Sequence, residues 1–271
     1  MNVVAEFRGA AGFRGAVFDV DGVLVDSPHE RAWRDAFEQL MDTTWQDVRD
    51  RSTYRPERFT PEVYQTVMSG KPRRSGARAV LDYFEVPDAE SRVPAYADRK
   101  QTMIDQFIAA GEFRAYPDAL RFILAVKNAG IAVSAASSSK NAGMFLERIR
   151  LDVFAAEHGL AYPAAKAGLT LLDLFDANVS GRDFEHGKPH PMMFLAAAEE
   201  LGLPPEECFV IEDATSGIQA AKAGGMAALG VARVGDEAAH DQAGADLVVT
   251  SLDDVAVNAL SRGVLALASI R

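Results

Sequence analysis

Cysteine is almost absent from this 271-residue chain. Cys208 stands alone, so an intramolecular disulfide and a cysteine-based metal site are both excluded. Long apolar runs are missing too: no stretch approaches the roughly 20 consecutive apolar residues that span a bilayer. The opening segment, MNVVAEFRGAAGFRGA, lacks the basic-then-apolar build of a secretory signal. The expectation is a cytoplasmic protein with no membrane partner. Positive charge is also scarce, with 28 Lys and Arg against 39 Asp and Glu, a net charge of −11. That deficit argues against a nucleic-acid partner, whose affinity would rest on neutralising phosphates. No internal repeat or low-complexity tract breaks the chain.

What is present is organised in two ways. After residue 110 short apolar runs alternate with helical stretches. Pro117 opens a helix that Gly130 follows, and 131–136 reads as a strand buried on both faces. A helix is expected over about 140–150, with others at 191–201 and 216–223. Further strands are expected at 177–180, 208–211, 226–229 and 246–249. Such repeated strand–helix units imply an α/β fold, a Rossmann-like parallel sheet with helices on both faces. Residues 15–20 are strand-like as well, but 29–110 then show helical periodicity, with Trp33, Phe37 and Leu40 on one face and Met103 and Phe107 on another. The reading is an α/β core domain of 1–27 and 113–271, interrupted by a helical domain of 28–112. Ala- and Gly-rich residues 152–170, with Pro163, read as a surface excursion. Within 49–78 eight basic residues face three acidic ones, a local charge of +5.

Asp19-Val20-Asp21-Gly22 follows the apolar run Ala16-Val17-Phe18. Two carboxylates at the end of a buried strand need a positive partner, or their pKa values shift until they neutralise. Ligands of an open parallel sheet bind beyond the carboxyl ends of its strands, and the other polar outliers fall at such ends. They are Ser137-Ser138-Ser139 ahead of Lys140-Asn141, Lys188 in Gly187-Lys188-Pro189-His190-Pro191, and Glu212-Asp213 after Phe209-Val210-Ile211. Together they supply the parts of a phosphoryl transfer. Asp19, at the strand tip, is the candidate nucleophile, and Asp21 the general acid/base. Asp213 with Asp19 offers hard oxygen ligands for Mg2+. Ser137 and the backbone N–H groups after it favour an anion. Lys188 is a point charge for the phosphate and for the crowded carboxylates.

In these four ordered motifs, Asp19-x-Asp21-Gly22, Ser137, Lys188 and Glu212-Asp213, the chain resembles the haloacid dehalogenase superfamily of phosphatases and phosphotransferases. Val25-Asp26-Ser27, Ser137-Ser138-Ser139-Lys140-Asn141 and Gly187-Lys188-Pro189-x-Pro191 most resemble its β-phosphoglucomutase-like group. The resemblance covers nearly the whole chain. It implies an aspartyl-phosphate on Asp19, Mg2+ as cofactor with Asp19, Asp21, Glu212 and Asp213 in its neighbourhood, and a helical cap over about 28–112. Phosphate or substrate contacts would come from Gly22, Ser138, Ser139, Lys140 and Asn141. From the cap the candidates are Arg73, Arg74 and Lys100, on a basic lid over an anionic ligand. The segment Asp26–Trp33 is about two residues shorter than the mutase pattern, which leaves His29 off the family's cap histidine position.

Other readings of the same residues are weaker. A calcium loop at Asp19 would need further oxygen donors where Val23-Leu24-Val25 stand. Gly181 to Lys188 is one residue too long for a phosphate-binding Walker loop, and Pro189 replaces its Ser or Thr. His186 and His190 are four apart but flanked by prolines, against a helical metal pair. Trp33 and Trp45 fit a cap core better than a substrate stack. Three functions remain in view for a monomer or weak homo-oligomer acting on a small phosphorylated metabolite. These are hydrolysis of a phosphomonoester such as a sugar phosphate, isomerisation between sugar 1- and 6-phosphates, and an inactive phosphate-binding regulator.

Overall fold

The computed structural model describes residues 12–68, 71–160 and 166–268, together with the backbone of Phe7–Arg8. The chain forms two compact units, Met1–Asp26 with Arg114–Arg271, and Ser27–Phe113. Among the described residues no helix is long and apolar enough to cross a membrane.

The first unit is built on six parallel strands: β1 (Gly15–Phe18), β2 (Ala132–Ala135), β3 (Ala177–Asn178), β4 (Cys208–Glu212), β5 (Ala227–Val231) and β6 (Leu247–Val249). Their order is β3-β2-β1-β4-β5-β6, a Rossmann-like doubly wound sheet in which the winding reverses at β1. Every residue of β1, β4 and β5 is buried. That explains why they are continuous apolar runs rather than alternating ones. Val17 and Val210 pack with Phe194, Ala197 and Ile218 from helices on one face. Phe18, pointing the opposite way, meets the rings of Phe122 and Phe175. The register aligns Phe18 with Ala135 and with Ile211, so the residues just beyond these three strands share one rim. Two short antiparallel pairs complete the unit, Val25–Asp26 with Arg114–Ala115 and Phe7–Arg8 with Val264–Leu265.

The second unit is helical. Its main helices are His29–Asp42, Arg73–Tyr83 and Ala89–Ala110. Phe37 is the hub of their core, stacked on Phe84 and edge-on to Tyr54 and Trp45. Trp33 is 6% exposed and lies edge-on to Tyr96, whose hydroxyl donates to the Trp33 carbonyl. Both tryptophans are core residues. Phe107 lies under the Arg31 guanidinium. Three of the eight basic residues in 49–78 are met by acids just outside that window. Arg49 pairs with Asp42, Arg51 with Asp47, and Arg78 with both Asp82 and Glu90.

The expected surface excursion is corrected in part. Residues Leu151–Glu157 form a helix that buries Leu151, Phe154 and Ala155. Their i, i+3, i+4 spacing is the helical signal that the Ala and Gly content of the segment obscures. Residues 161–165, with Pro163, lie outside the described residues, as does most of the opening segment read for a signal.

Candidate active site

Strand register sets the site. The Asp19 amide donates to the Ile211 carbonyl of β4 at 3.0 Å, and the Ala136 amide to the Phe18 carbonyl at 2.8 Å. Asp19, Ser137 and Glu212 therefore leave adjacent strands on one rim. Beyond Asp19 the chain turns back on itself. The Leu24 and Val25 amides donate to the Val20 carbonyl, and the Gly22 amide to the Val25 carbonyl. Gly22 sits at φ +85°, and a Cβ there would stand 1.8 Å from Asp213 Oδ2. Only glycine fits both the turn and that approach.

Lys188 is the electrostatic centre. Its ammonium donates to Asp19 Oδ1 at 2.6 Å and to Glu212 Oε1 at 2.7 Å. Asp19 is 5% and Glu212 1% exposed, and the Phe194 ring lies 5.2 Å from the lysine nitrogen. Burial alone would lower the lysine, but the charges of Asp19 and Glu212 prevail and hold its pKa above the ordinary value. Burial pushes Asp19 up to about 7, with Lys188 pulling it down and Asp213 and Asp21 pushing it further up. Glu212 and Asp213 are raised as well, by burial first. Three like charges in one nest resist full ionisation, and a single ammonium does not compensate them.

Oxygens of Asp19, Glu212 and Asp213 lie within 4.8 Å of one another, and Glu212 Oε2 is buried with no hydrogen-bond partner among the described residues. Hard oxygen donors, raised pKa values and an orphaned carboxylate oxygen fit a divalent cation. The expectation also placed Asp21 in the metal set. Here the side chains that cluster are Asp19, Glu212 and Asp213, while Asp21 Oδ2 accepts from the Ser137 hydroxyl at 3.3 Å. Asp21 nonetheless stays close to the cluster, for its charge helps to raise both Asp19 and Asp213.

The serine turn is ordered. Ser137 Oγ accepts from the Ser139 amide, and Ser139 Oγ from the Asn141 amide. Ser137 and Asn141 are buried, whereas Ser138 is exposed. Lys140 reaches away along this loop, donating to the Gly181 carbonyl and to Asp183 at 2.6 Å each. The cap candidates sit within the helical unit. Arg73 is exposed and donates to Gln101, and Arg74 is exposed on the same helix. Lys100 is 5% exposed, with its nitrogen 3.3 Å from His29 Nδ1 and 5.3 Å from the Trp33 ring centroid. Exposed His186 and His190 lie beside each other, ring centroids 4.8 Å apart and tilted by 47°.

Two residues that touch the site escape a reading of the sequence. His240, fully buried, donates from Nε2 to the Asp213 carbonyl at 2.9 Å. Arg233 donates to the Gly22 and Val23 carbonyls. Neither lies in a motif; only their place after β5 would have drawn attention to them.

Known proteins resemble this chain along most of its length. The family model described as haloacid dehalogenase-like hydrolase matches residues 13–225. A protein of Mycobacterium bovis named beta-phosphoglucomutase is 33% identical, covering 89% of this chain and 91% of its own length. Hexitol phosphatase A of Escherichia coli is 27% identical, covering 92% and 96%. The crystal structure of an archaeal beta-phosphoglucomutase from Pyrococcus sp. strain ST 04 superposes with a TM-score of 0.66 at 29% identity, covering 91% and 96%. This chain therefore belongs to the haloacid dehalogenase-like hydrolase family.

Proposed function

We infer that this enzyme catalyses Mg2+-dependent phosphoryl transfer from a small sugar phosphate, through a phosphate ester of the Asp19 carboxylate. The observation that carries the reading is the Lys188 ammonium shared by Asp19 and Glu212, with Asp213 beside them. A strand-tip carboxylate is held rigid there, next to a fixed positive charge and a metal-ready oxygen set.

Asp19 attacks phosphorus, the bond from phosphorus to the sugar oxygen breaks, and a proton from the Asp21 carboxyl goes to the departing oxygen. In the second half water attacks phosphorus, gives its proton to Asp21, and the bond to Asp19 breaks. The Ser137 hydroxyl and the Lys188 ammonium hold phosphoryl oxygens. Asp19, Glu212 and Asp213 are the residues to hold Mg2+, which when bound supplies positive charge to the phosphoryl oxygens.

Hydrolysis is the net outcome when water takes the phosphoryl group. A second reading has a specific observation in its favour. The mycobacterial and archaeal relatives named beta-phosphoglucomutase align with nearly the whole of this chain. In that reading a sugar hydroxyl takes the group back and the reaction is an isomerisation. A screen of sugar phosphates, followed by β-glucose 1-phosphate with a trace of the bisphosphate, separates the two. Release of free phosphate is the result for hydrolysis; prompt 6-phosphate without free phosphate overturns it in favour of isomerisation. If no sugar phosphate reacts with Mg2+ present, the reading falls altogether.

A further inference from the structure

Arg233 lies two residues beyond β5, its side chain 13% exposed. Its guanidinium makes three separate bonds within the α/β unit. Nε donates to the Gly22 carbonyl at 3.3 Å, Nη2 to the Val23 carbonyl at 3.2 Å, and Nη1 to Asp118 Oδ2 at 2.8 Å. The Tyr116 ring packs against it, 4.0 Å from ring centroid to guanidinium carbon. Asp118 is itself fixed, accepting from the Leu252 amide at 2.8 Å and from the Ser251 hydroxyl. Burial opposes its ionisation, but these bonds, that of Arg233 foremost, hold its pKa below the ordinary value.

The two carbonyls gripped by Arg233 belong to the residues immediately after Asp21. That stretch contains Gly22 in the left-handed region, the place where the backbone resists rotation least. On its amide side the turn is closed by its own bond to Val25. On its carbonyl side Arg233 supplies an anchor from a distant strand end. A planar, permanently charged fork meets two carbonyls and a carboxylate at once, which a lysine ammonium on a flexible stem does not reproduce.

We propose that Arg233 is a positioning residue for phosphoryl transfer: by clamping the Gly22 and Val23 carbonyls it holds the loop that aims Asp21 at the leaving oxygen. This rests on the reading of Asp21 as the proton carrier. Proton delivery depends steeply on donor geometry and is worth about 10²–10⁴ in rate, so a loop released from its anchor loses catalysis before it loses binding.

The test exploits the leaving group. A sugar alkoxide needs a proton as it departs, whereas the p-nitrophenolate of p-nitrophenyl phosphate does not. The sugar phosphate turned over fastest in the screen and p-nitrophenyl phosphate are assayed side by side with wild type, Arg233→Met, Arg233→Lys, Asp21→Asn and Asp19→Asn. Arg233→Met is expected to lose about 30-fold or more in kcat/KM on the sugar phosphate, the parameter that ends with departure of the leaving group; this is a fraction of the whole general-acid effect. The same variant loses far less kcat/KM on the aryl ester, and Asp21→Asn shows the same asymmetry more strongly; the later attack of water, which also uses Asp21, is common to both substrates and does not enter kcat/KM. Arg233→Lys, which keeps the charge beside Asp118, follows the same pattern more mildly and serves where Arg233→Met does not fold. Equal losses in kcat/KM on both substrates overturn the proposal, since general damage does not distinguish leaving groups. Full activity of the Arg233 variants on the sugar phosphate overturns it too. Asp19→Asn separates the levels: if it retains activity, the aspartyl-phosphate reading fails and the proposal with it. If it is dead while the Arg233 losses are equal, only the proposal fails.

Discussion

Lys188 and Glu212 make one unit, and a third residue makes room for it. Glu212 ends β4 and lies against Gly217 on the helix Thr215–Ala223. A Cβ at Gly217 would come within 1.7 Å of Glu212 Oε1 and 2.1 Å of its Cδ. A glycine inside a helix costs about 1 kcal/mol relative to alanine, so Gly217→Ala would stabilise an isolated helix. Here the added methyl must drive a buried carboxylate off Lys188. The expected outcome is at least a tenfold rise in the Mg2+ concentration needed for half-maximal activity, about 1.4 kcal/mol by the usual conversion. A Mg2+ titration of activity, with a melting curve to verify folding, checks it. An unchanged requirement would remove Glu212 from the cation site. Asp19, Asp21, Ser137 and Asp213 were legible in the sequence because charged or hydroxyl residues directly after apolar strands have few uses other than a ligand site; Lys188, ten residues past its strand, was legible from its Gly-Lys-Pro setting ahead of a helix. Gly217 was not, since what it accommodates is a side chain five residues upstream, and no spacing rule marks such a contact.

At the scale of elements, the strands flanking the site are fastened at their opposite ends by two copies of one device. Asp176, just ahead of β3, accepts from the Val133 amide of β2 and from Lys127. Asp246, just ahead of β6, accepts from the Ala228 amide of β5 at 2.8 Å and from Lys222 at 2.7 Å. In both, a lysine in the last turn of one helix holds an aspartate that caps the start of a neighbouring strand. Removing the acceptor from a buried amide costs about 1–3 kcal/mol, so Asp246→Ala should lower the unfolding free energy by that amount, seen as a lower urea midpoint at unchanged slope, with no change in KM. Urea unfolding and steady-state kinetics measured on the same preparation check both halves. The parallel strands were readable because burial on both faces leaves an apolar run that other elements seldom show. The pairing of charges was not. The basic window 49–78 hints at an anionic ligand on composition, yet Asp42, Asp47, Asp82 and Glu90 stand beside three of its arginines. Those partners lie four to twelve residues away, outside any window drawn on composition alone. The helix Leu151–Glu157 was hidden in the same manner by the Ala and Gly around it.

For the molecule as a whole, the carboxylate nest couples stability to pH and to metal. Burial pushes Asp19 up to about 7 from 3.8, against Lys188 and with Asp213 and Asp21; Glu212 and Asp213 shift the same way, also by burial first. A carboxyl whose folded pKa lies above its unfolded value binds its proton more tightly in the folded protein. Its contribution to stability is therefore complete below the unfolded value and is lost as pH rises through the folded one. Lys188, raised rather than lowered, stays charged across this range and adds no slope. The melting temperature of the metal-free protein should accordingly fall between about pH 5 and pH 8 as the nest ionises. A divalent cation reverses the trend. It binds the ionised carboxylates of the folded state, adds stability by mass action, and binds more tightly as they lose their protons. The gap between melting curves in Mg2+ and in EDTA should thus be small near pH 5 and widen steadily towards pH 8. Asp213→Asn should flatten both trends: one acidic group leaves the nest, the repulsion that raises the others weakens, and a cation ligand is lost. A gap independent of pH in the wild type would place the cation elsewhere than on Asp19, Glu212 and Asp213.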